Sequence, residues 1–172
     1  MLVAMMIFSV LLIAFLNLFT SAFKNQQKAL DSVELLNSIS FVTEYTSRAL
    51  RMVQIDAEGV CIPRAKVFKI TANGTSIKFL NSRGECQEFY LESEMMKVKK
   101  SPANQPSLAI SQPLTSNKII IEDLTFFISG EDKNDELQPK ATFVLKIRTK
   151  KDYSQIINIQ TSVSQRALDV VY

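Results

Sequence analysis

Few residues in this chain could do chemistry, and the missing types are as informative as those present. His is absent from all 172 residues, and the only Cys are Cys61 and Cys86. That removes His-based acid–base catalysis, the Cys/His nucleophile pair, the Ser-His-Asp triad and any ordinary zinc site. Three groupings of polar residues remain. Asp132, Asn134 and Glu136, in GEDKNDELQP, have the alternating oxygen spacing that opens a calcium-binding helix–loop–helix loop. The sixth-position Gly is missing and Phe143 stands where the closing Glu belongs, so a solvated turn is the preferred reading. Lys146, Arg148, Lys150 and Lys151 align positive charge along one strand, with Lys97, Lys99 and Lys100 elsewhere. An exposed sheet face or a charge-protected edge is preferred to an anion site, and no nucleic-acid partner is expected. Asn73-Gly74-Thr75 has the pattern of a glycosylation acceptor, and the same residues suit a tight turn. No cluster of titratable groups suggests catalysis, so neither an enzymatic activity nor a cofactor or metal is expected.

The elements that carry these residues follow from how charge, Gly and Pro are distributed. Lys and Arg number 20 against 17 Asp and Glu, a net charge of +3 that does not by itself call for a polyanionic partner. Residues 1–23 hold no charged side chain, and the first is Lys24. The polar side chains in that stretch are Ser9, Asn17, Thr20 and Ser21. As a helix it spans about 35 Å, enough to cross a hydrocarbon core of about 30 Å. A terminal helix that is apolar all round would need a much larger domain to cover it as a core element. Membrane insertion, with lipid as a partner, is therefore expected. A cleaved secretory signal fits less well, because no basic residue opens MLVAMMIFSV.

All four Gly and all five Pro lie at or after Gly59, so the helix is expected to continue well past the apolar run. After Lys24 it becomes amphipathic. Leu35, Ile39, Val42, Ala49 and Val53 make one face, with Thr46 filling the gap, and Asn37, Ser40, Glu44, Ser47, Arg48 and Arg51 the other. A helix unbroken to about Val53 would be roughly 80 Å long. Beyond Gly59 the period changes to 2. Short strands are predicted at 66–71, 75–80, 87–91 and 95–98, the first two joined through Asn73-Gly74. A loop at 101–117 precedes three longer strands at 118–128, 140–150 and 155–165. Phe143, Leu145 and Ile147, and then Ile157, Ile159, Thr161 and Val163, supply faces to bury. The fold class is α+β: a long N-terminal helix whose lower half packs on an antiparallel sheet. Its divisions are a membrane half at 1–23, an amphipathic half at 24–58 and a β-rich head at 59–172.

The opening MLVAMMIFSVLLIAF, the unbroken helix, the Cys61 and Cys86 pair around Asn-Gly turns, and the strand order together resemble the type IV pilin family. LTSNKIIIEDLTFFISG, QPKATFVLKIRTK and INIQTSVSQR are similar to minor pilins and pseudopilins, and the resemblance covers essentially the whole chain. It implies a structural subunit of a type IV pilus or a type II-like secretion filament. Its partners would be other pilin or pseudopilin subunits and an inner-membrane assembly platform. In the family the apolar helices bundle in the filament centre, which suits small residues such as Ala4 and Ser9 within the span, alongside Asn17. The absence of Pro from the span weakly favours a minor pilin or pseudopilin.

Three expectations follow from the resemblance. The head should lie outside the cytoplasm, although Lys24 and Lys28 after the apolar run would point the other way by a charge count alone. Cys61 and Cys86 should then form a disulfide in an oxidising compartment, two buried free thiols being the alternative. The reading frame should extend upstream of Met1 to a basic leader, a Gly at the peptidase cleavage point and a short apolar segment ending in Glu. The family's N-terminal methylation and the buried Glu that neutralises a neighbour's amine find no position in the residues given. A monomeric, membrane-anchored extracytoplasmic binding domain is the alternative function.

Overall fold

A computed structural model of the chain describes residues 1–64, 66–131, 137–150 and 156–166. The first element is a single helix, α1, from Leu2 to Arg51. It forms because no Gly or Pro interrupts it, and it closes on Arg48 and Arg51, whose positive charges suit the negative end of the helix dipole. The last turn is also tied down by hydrogen bonds: the Arg166 N–H donates to the Arg51 carbonyl at 2.9 Å. The helix thus stops two residues short of Val53. The chain divides into two compact units, Met1–Asn37 and Ser38–Tyr172, with the division inside α1.

The second unit is α+β with two antiparallel sheets rather than one. The first sheet is a five-stranded meander: β1 (Phe68–Thr71), β2 (Ser76–Leu80), β3 (Glu85–Glu92), β4 (Met95–Pro102) and β5 (Ile110–Pro113), in that spatial order. The second is a three-stranded meander of β6 (Ile119–Ser129), β7 (Lys140–Thr149) and β8 (Ile157–Ser164). The β1–β2 connection passes through a single 3-10 turn at Ala72–Gly74, with Asn73 at φ 56° and Gly74 at φ 98°. The Asn-Gly pair therefore supplies the left-handed conformations that the sequence predicts for it.

Burial explains the alternation. On β7, Phe143, Leu145 and Ile147 are buried while Thr142, Val144, Lys146 and Arg148 are half-exposed. On β8, Val163 is buried, and Ile157, Ile159 and Thr161 are half-buried between exposed Asn158, Gln160 and Ser162. Phe79 and Phe89 pack 5.7 Å apart, and Tyr45 of α1 meets Phe89 edge-on at 6.0 Å, so the last turns of the helix lie on the five-stranded sheet. Phe126 and Phe143 pack at 6.3 Å in the second sheet.

One segment differs from the sequence reading, and one strand is irregular. Residues 101–117 are not wholly loop: β4 runs to Pro102, and β5 adds an edge strand paired to it from Lys100↔Ile110 to Lys97↔Pro113. All four β5 side chains are exposed, so no hydrophobic alternation marks it, and Pro113 is tolerable because the strand is an edge. On β6, Ile119, Ile120 and Ile121 are all buried, and the register skips Glu122 as a bulge.

Candidate functional site

The candidate site is the exposed length of α1. Every residue from 1 to 30 is exposed. The most apolar window has a mean hydropathy of 2.7 and no buried residue, so by length and composition the helix is able to cross a membrane; a signal sequence passes the same test. Its hydroxyl side chains bond within the helix: Ser9 Oγ donates to the Met6 carbonyl at 2.8 Å, and Thr20 Oγ1 to that of Leu16. They therefore bring little unpaired polarity into an apolar surrounding. Ala4, Ser9 and Asn17 are all exposed, but they do not share a face. Steps of five and then eight residues turn about 140° and about 80° around a helix, so the three are spread over its circumference.

Apolar exposure continues beyond the charge-free stretch. Leu30, Val33 and Leu36 are 62%, 54% and 53% exposed, at i, i+3 and i+6, among Lys24, Lys28, Asp31 and Glu34. Of the expected docking face, Leu35 and Val42 are buried on α1 and Ile39 and Ala49 half-buried, whereas Val53 is buried but lies beyond the end of the helix at Arg51. Thr46 is fully buried, and so is Leu50, which the sequence reading left out although it sits four residues beyond Thr46.

Cys61 and Cys86 are joined in a disulfide with their Cα atoms 5.5 Å apart. The approach to Cys61 is shaped by Asp56, a residue the sequence reading passed over. Asp56 Oδ1 accepts the N–H groups of Gly59 at 2.7 Å and Val60 at 3.1 Å, and Oδ2 those of Cys61 at 2.7 Å and Ile62 at 2.9 Å. Burial alone would push its pKa up, but the four N–H donors outweigh it and hold the carboxyl below the usual range. An Asp three residues before a Gly, just ahead of a Cys, was the available signal.

The basic residues are largely answered. Glu122, at the β6 bulge, accepts from Lys146 Nζ at 2.9 Å and Arg148 Nε at 2.7 Å, and those bonds hold its carboxyl below the usual range. Lys97 Nζ donates to Glu92 at 2.6 Å, which holds the ammonium above its usual range. Lys100 lies 5.7 Å over the Tyr45 ring, and Lys99 and Lys150 are exposed. Lys151 and the trio Asp132, Asn134 and Glu136 lie outside the described residues. Among the described residues no group of three His, Cys, Asp or Glu could hold a metal ion. Asn73 of the glycosylation pattern is exposed at the β1–β2 turn.

Comparison with family models, with curated proteins and with solved structures finds no match to this chain.

Proposed function

We propose that the chain is a structural subunit of a helix-centred filament, of the minor pilin or pseudopilin kind, with its head outside the cytoplasm. The observation that carries this reading is the apolar stripe of Leu30, Val33 and Leu36, exposed in the isolated chain. The charge-free run of 23 residues, at about 35 Å, already fills a bilayer core of about 30 Å. The stripe then lies roughly 10–20 Å beyond Phe23, where lipid tails do not reach. In water it would be an exposed hydrophobic surface; against neighbouring helices it is covered. A lone anchored domain has no use for it, whereas a subunit whose helix is surrounded by other helices does. The spread of Ala4, Ser9 and Asn17 around the helix suits contact on several sides for the same reason. The disulfide supports an oxidising compartment for the head.

The test is cysteine crosslinking from positions 4 and 9 in the native membrane, with protease digestion of spheroplasts alongside. A filament subunit gives crosslinked oligomers through the span, and its head is digested. An anchored monomer gives no crosslinks, and a protected head would place it in the cytoplasm.

A further inference from the structure

Residues 52–67 join α1 to the sheets, and by chain order alone a pull along the helix enters the head at Phe68, where β1 begins. That is a weak place to grip a sheet. β1 has four residues and lies at the edge, with β2 as its only strand neighbour among the described residues. Its pairs run from Phe68↔Phe79 at the open end of the hairpin to Thr71↔Ser76 beside the turn. A pull on Phe68 therefore opens them one after another instead of all at once. The Phe68 N–H also donates to Glu131 Oε1 at 2.9 Å, which adds one bond to that row.

The disulfide offers another route. Cys61 lies between the end of α1 and the start of β1, and its partner Cys86 lies on β3, in the middle of the sheet. β3 has eight residues, and Cys86 stands opposite Leu80 of β2 on one side and Ser101 of β4 on the other. Both Cys are buried in a small apolar cluster with Ile62, against which Leu80 and Ala103 pack. The stretch before Cys61 is itself gathered in. Gln54 N–H donates to the Leu80 carbonyl at 2.9 Å, and Asp56 holds the N–H groups of Gly59, Val60, Cys61 and Ile62. A pull on α1 thus reaches the disulfide before it reaches β1.

We propose that the Cys61–Cys86 disulfide is a tension bypass, which passes a pull on the helix to the central strand β3 and leaves β1 and β2 unstretched. With the bond open, the chain between the two Cys can lengthen by about 80 Å. That is a separation of 25 residues at about 3.4 Å each, less the 5.5 Å already spanned. Closing it joins the two Cys sulfurs while a disulfide oxidant, such as oxidised glutathione, is cleaved to two thiols; the reverse exchange restores both Cys thiols. The connection from helix to head is therefore short in an oxidising compartment and extensible in a reducing one. It holds for any pull between helix and head, in an anchored monomer as in a filament, so it does not rest on the filament reading.

The experiment stretches the full chain in detergent with optical tweezers. One handle is at the N-terminus and the other on a clickable amino acid at position 92, the exposed far end of β3. The helix leaves the sheet in both redox forms. The oxidised chain then lengthens no further than the short stretch before Cys61 allows. The same protein, folded and then reduced until both thiols are alkylatable, shows one additional step of about 80 Å. Ile70→Gly weakens β1, so it lowers the force of that step in the reduced chain and leaves the oxidised curve unchanged. Oxidised and reduced curves that coincide up to the force at which the handles detach overturn the proposal, because the sheet then bears the pull without the bond. An additional step whose force Ile70→Gly does not move overturns it as well.

Discussion

Asp56 shows how much one side chain holds in the head. Its two oxygens close the turn that delivers Cys61 to its disulfide, using four N–H donors that would otherwise be left without partners. Asp56→Ala should lower the unfolding free energy by about 3 kcal/mol, as read from denaturant midpoints at constant slope. The pH dependence has a definite sign. The folded pKa lies below the unfolded value of about 3.9, so the contribution is complete above that value and is lost as pH falls through the folded one. Acid titration of the wild type should therefore show a loss of stability below about pH 4 that is reduced in Asp56→Asn. Removing the disulfide in a Cys61→Ala/Cys86→Ala double variant should cost about 3.5 kcal/mol, since the bridge closes a loop with a separation of 25 residues. Alkylation without reductant should label neither thiol in protein from the envelope.

At the level of elements, Gly130 ends β6 at φ +72°, and a Cβ there would lie 2.7 Å from the Gln138 carbonyl oxygen. Gly130→Ala should lower Tm by more than Gly84→Ala, whose Cβ position is open at φ +72° as well, so the comparison separates crowding from backbone strain. The long helix was legible because no Gly or Pro interrupts it and its second half carries an apolar face, and β7 and β8 because their apolar residues alternate, as Phe143, Leu145 and Ile147 do. Strand β5 was not, because Ile110, Ser111, Gln112 and Pro113 bury nothing and are held by backbone pairing alone. The separation into two sheets was also hidden, since alternation reports that a strand has a face and is silent on which strand lies beside it. The same limit explains the candidate site. The apolar span could be read residue by residue, whereas Asp56 and Glu122 take their meaning from partners on other turns and strands.

For the whole molecule, the deciding question is what covers the helix. Residues 1–23 are answered by a bilayer or by other helices alike, so they do not discriminate between an anchor and a filament subunit. Leu30, Val33 and Leu36 do under the proposed reading, in which residues 1–23 span the bilayer, because all three are exposed in the isolated chain. Replacing Val33 and Leu36 together by Gln should abolish assembly while leaving the head's Tm within about 2 °C of wild type, since neither side chain is part of the core. The most direct measurement is photo-crosslinking from a photoreactive amino acid at position 33 in the native membrane. The account predicts a ladder of covalent products with other copies or related subunits. A single monomeric band, with or without attached lipid, would contradict it.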